Sequence, residues 1–90
     1  MAYMESLALR RRLAEADPSN AGWQRDLSVT LTRLAQLHEQ QGDRAGALPL
    51  AEESLSICER LAALDQSNVT WQNDLAFSRA LVARLRGAVR

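Results

Sequence analysis

An all-α fold is predicted for this chain, as an antiparallel helix-turn-helix solenoid of four helices. Two kinds of observation predict it. The chain has only four aromatics among its 90 residues and is rich in Ala and Leu, with few β-branched residues, a composition that favours helices over strands. Its sequence also repeats itself: Ser6–Leu27 and Ser54–Leu75 share twelve of 22 positions at a constant offset of 48. A fixed period carrying a helix, a turn and a second helix start is the mark of a helical repeat. Ninety residues make one domain, and 47% apolar content is enough for a packed core.

The first helix is expected over about residues 2–16. It stops at Asp17-Pro18, because the residue before proline is pushed out of the α region. Ser19 and Asn20 both have side-chain oxygens suited to capping the second helix, about 21–41. On that helix Trp23, Leu27, Leu31, Leu34, Ala35, Leu37 and His38 share an apolar arc of about 160°. Gly42-Asp43 then closes it and opens a third helix, about 44–64, with Gly as the left-handed residue and Asp as the cap.

So short a connection makes the second and third helices antiparallel. The third carries apolar residues over about 200°, twice what a surface helix needs, and should pack on two sides. Pro49 in its second turn predicts a mild kink or a loose start. Ser67-Asn68 repeats the cap ahead of a fourth helix, about 69–87.

Eleven Arg and eleven acids cancel, and there is no Lys, so no global field draws the chain to nucleic acid. The distribution is uneven: residues 1–14 carry +2, residues 15–74 carry −6 and residues 75–90 carry +4. Either the ends and the middle attract one another, or Arg10, Arg11, Arg12, Arg79, Arg84, Arg86 and Arg90 form an anion or nucleic-acid site. A lone Cys58 fits a reducing cytoplasm, and no apolar run approaches the ~18 residues that span a bilayer. One His and one Cys cannot assemble a metal site, and no cofactor motif is present. His38 and Cys58 both point toward the interface of the second and third helices, yet they lack the orienting group and oxyanion site that catalysis needs. No enzyme is expected.

The run Leu31, Leu34-Ala35, His38, Gly42, Ala47, Ala51 and Ser54 resembles the tetratricopeptide repeat. The period of 48 exceeds the usual 34 by about two helical turns on each helix, so the resemblance is to a long-helix variety. It implies a non-enzymatic interaction scaffold with a protein or peptide partner, lined by helix A: Val29, Thr32, Gln36, Glu39 and Gln40 in one copy and Phe77, Ala80, Arg84, Gly87 and Ala88 in the next, with Arg33 and Leu81 beside them. The Lys and Asn residues that clamp a terminal carboxylate in some relatives are missing, with Thr32 and Gln36 in the matching places. The apolar stripe of Phe77, Leu81 and Ala88 is expected either to lie against the first helix or in solvent, or to mark a peptide site or a homo-oligomer contact. Arg79 and Arg86 replace the core-facing Leu31 and His38 of the earlier copy, which favours a short complete module.

Overall fold

The structure, a computed structural model, describes residues 3–88. Four helices follow one another: α1 (Tyr3–Ala16), α2 (Ala21–Gln40), α3 (Arg44–Leu64) and α4 (Val69–Ala88). Among the described residues there is no strand, and the all-α class is borne out. Each helix runs antiparallel to the next: Ser54 reaches Ser28 across α2 and α3, and Cys58 meets Ser78 across α3 and α4. Alternate helices therefore lie side by side and parallel, α2 with α4 in one layer and α1 with α3 in the other.

The turns show why the chain reverses where it does. Of the two capping candidates at each A-helix start, it is the Asn that caps. Asn20 accepts the Trp23 N–H at 3.0 Å, and Asn68 accepts the Trp71 N–H at 3.0 Å. The serines instead brace the turn, Ser19 and Ser67 each donating to the Asp two residues earlier at 2.6 Å. Gln24 and Gln72 then reach back to the carbonyls of Ala14 and Ala62, both at 3.2 Å. Every one of these contacts recurs 48 residues on.

Between α2 and α3 the chain turns through Gly42, whose φ of +82° lies in the left-handed region. The Gly42 N–H donates to Glu39 O and the Asp43 N–H to His38 O, so the last carbonyls of α2 are satisfied. Asp43 also caps α3 by accepting the Gly46 N–H at 2.8 Å. α3 continues unbroken through Pro49, whose missing donor frees a carbonyl at the exposed Ala45.

The wide apolar arc of α3 serves two cores. On one side Ile57 and Leu61 join Leu7, Ala14, Leu27, Leu31 and Leu34 from α1 and α2. On the other, Ala47 and Ala51 meet Ala35, Leu81, Val82 and Leu85, while Cys58 and Ala62 meet Leu75. Small residues along α3 allow α4 to approach closely. Trp71 is half-buried and packs against the first of these cores, and Trp23 is likewise half-buried.

Candidate functional site

α2 and α4 are tied across their shared face by two forked ion pairs. Near their N-termini the Arg25 guanidinium holds Asp74 through two hydrogen bonds, 2.8 and 3.3 Å. Toward their C-termini Arg84 holds Glu39 through two more, 2.9 and 2.8 Å. The Arg84 hydrogen bond keeps the Glu39 carboxyl below its usual range, and the same bond raises the Arg84 guanidinium. Between α2 and α4 lies a groove with a cavity of about 210 Å³.

Five of the residues expected on the helix A face line this cavity: Val29, Thr32, Arg33, Gln36 and Phe77. Phe77 is 51% exposed and Arg33 is exposed. Thr32 is already engaged, its hydroxyl 2.8 Å from that of Ser54, which itself donates to the Ser28 carbonyl at 2.9 Å. The floor is made of Ser28, Cys58 and Ser78, all buried. These small floor residues were not foreseen as groove-lining. The signal lay in their size, since a cavity forms where two helices meet over Ser and Cys in place of Leu.

Glu39, Gln40, Ala80, Leu81, Arg84 and Gly87 of the expected face do not line the cavity, and the side chain of Ala88 lies outside the described residues. Leu81 is only 2% exposed, packed with Ala35, Ala51 and Leu85, so the exposed apolar stripe does not form. The reason is positional. Leu81 in α4 corresponds by offset to Arg33 in α2, but α4 has α2 beside it, whereas α2 has no A helix on its other side among the described residues. The same place in the repeat is core in one copy and surface in the other. Arg84 lies on the face, with its charge taken by Glu39.

His38 and Cys58 do not come together. His38 turns toward the α2–α3 connection, where Nδ1 lies 2.9 Å from Asp43 Oδ2. Cys58 faces α4, its Sγ 3.4 Å from Ser78 Oγ. Among the described residues no group of His, Cys, Asp or Glu could hold a metal ion, and no helix is long and apolar enough to cross a membrane.

Part of the charge of the basic ends is paired with the acidic middle. Arg10 pairs with Asp26 at 3.3 Å, Arg11 with Glu53 at 2.8 Å and Arg86 with Glu52 at 2.8 Å, in addition to Arg84 with Glu39. Four of the seven arginines of the anion-site reading thus have acidic partners, and Arg90 lies outside the described residues.

Helices paired antiparallel, capped alike and flanked by a further helix on each side define an α-helical repeat protein. Residues 27–65, which span most of α2 and all of α3, match the family model of the tetratricopeptide repeat. Over these residues the chain is similar to that repeat, with α2 as helix A and α3 as helix B of the matched pair. No curated protein and no solved structure matches it.

Proposed function

We propose that this chain is a non-enzymatic protein-interaction module whose partner lays a peptide or helix into the groove between α2 and α4. The tetratricopeptide repeat is a scaffold for protein contacts, which supports the general reading. The observation that carries the specific one is the meeting of Val29, Arg33, Gln36 and Phe77 around one cavity on the helix A layer. Phe77 is the aromatic on this face, and half-exposed aromatics are common anchors of protein interfaces. Self-association drew its support from a paired stripe of Phe77 and Leu81. With Leu81 in the core, capture of a separate peptide is the better-supported use of the face.

The test is selection of linear peptides from a displayed library on the immobilised chain. Peptides that bind should lose affinity for Phe77→Asp and keep it for Leu64→Asp, a still more exposed apolar site outside the groove. Circular dichroism confirms that both variants fold. Binding insensitive to Phe77→Asp would move the site elsewhere and end the groove reading.

A further inference from the structure

We propose that the α2–α4 groove selects a peptide carrying a bulky apolar side chain with a carboxylate beside it, the apolar group packing on Phe77 and the carboxylate pairing with Arg33. This rests on the groove being the binding face, and it names the chemistry of the occupant.

The cavity sets the size. At about 210 Å³ it lies below the roughly 300 Å³ at which small-molecule pockets begin, so it suits a single side chain. The floor sets the polarity. Ser28 donates to the Arg25 carbonyl at 2.8 Å and Ser78 is 3.4 Å from Cys58. Among the described residues no buried side-chain polar atom lacks a partner. The floor therefore asks nothing of a ligand, and an apolar group entering between Val29 and Phe77 leaves no polar group stranded.

Charge sets the neighbour. Three arginines bear on this face. Arg25 is committed to Asp74 and Arg84 to Glu39, each through two hydrogen bonds. Arg33, between them on α2 and lining the cavity, has no acidic partner among the described residues. A cationic peptide would meet only carboxylates already neutralised, and repulsion from Arg33. An acidic one gains a charge-assisted pair without breaking an existing one. This differs from capture of a terminal carboxylate, since it asks for a side chain within the peptide.

The displayed library again supplies the probe. Selected sequences should place Leu, Met or Phe within two positions of Asp or Glu. For a synthetic peptide of that kind, Arg33→Glu should weaken binding by at least about tenfold, and Arg33→Lys should retain most of it. Replacing the peptide's acid by Lys should restore binding to Arg33→Glu. Selected peptides with no acidic preference, or an Arg33→Glu affinity within about twofold of wild type, would overturn the assignment. If Phe77→Asp abolishes binding while Arg33→Glu does not, the carboxylate preference alone fails. Should neither matter, or no peptide be selected, both readings fall.

Discussion

Leu31 and Arg79 occupy the same place in the repeat, 48 residues apart, and the fold gives them opposite surroundings. Leu31 is fully buried where α1, α2 and α3 meet, against Leu7, Leu27, Leu34, Ile57 and Leu61. Arg79 is exposed on α4. Leu31→Ala removes a side chain from a site walled by three helices, where collapse is limited, so the cost should fall near the middle of the usual range, about 3–4 kcal/mol. A chain of this length has a total stability of about 5–13 kcal/mol. The loss should therefore lower the melting temperature by roughly 12–30 °C. Arg79→Ala, on an open face, should change stability by no more than about 0.5 kcal/mol. Urea unfolding followed by the fluorescence of Trp23 and Trp71 measures both. Equal costs at the two positions would refute the reasoning, because they would mean that the outer face of α4 is packed as the matching face of α2 is.

Other outcomes follow from the turns and the buried hydroxyls. Asn20→Ala and Asn68→Ala should each cost about 0.5–2 kcal/mol and closely similar amounts, since both caps have the same 3.0 Å geometry. Gly42→Ala should cost about 1–2 kcal/mol by forcing a Cβ into the left-handed region, whereas the helical Gly87, with open space around it, should tolerate Ala. Ser54→Ala should cost about 1–3 kcal/mol in thermal or chemical unfolding, because it removes the partner of Thr32 from a buried site. Acid should also act in a defined direction. Asp43 is held below its ordinary value by His38 and Gly46, Asp65 by Ser67, and Glu39 by Arg84. Each depressed carboxyl contributes stability above its unfolded pKa and loses it as pH falls through the folded one. Denaturation midpoints should thus drop as pH falls below the ordinary carboxyl range, and Asp43→Asn with Asp65→Asn should flatten that slope.

Much of the fold was legible because the deciding signals are local. Gly42 and Asp43 have to be a left-handed residue and a cap in that order, and the paired Asp-X-Ser-Asn turns announce two equivalent helix starts. The wide arc of α3 likewise foretold a helix with partners on two sides. The face of the groove was legible through the resemblance, which placed Val29, Thr32, Arg33, Gln36 and Phe77. What escaped was set by the neighbours of a helix and not by the helix itself. Leu81 reads as surface if α4 is treated as a copy of α2, and becomes core because α2 stands next to it. Thr32 reads as a ligand contact until Ser54 is seen to claim its hydroxyl. His38 and Cys58 lie on one stripe of a helical wheel or its partner, yet the antiparallel crossing sends them to different neighbours.

The two forked pairs that join α2 and α4 have unequal contact with water. The Arg84 side chain is 59% exposed, and that of Arg25 is 38% exposed. Dissolved ions screen the wetter pair more strongly. As ionic strength rises, the slot should therefore loosen from its Arg84 end while its Arg25 end stays fastened, in the manner of a hinge with one pin withdrawn. Salt would then change the shape of the opening as well as its charge, and a long occupant that reaches past Gln36 would feel this sooner than a short one lodged at Phe77.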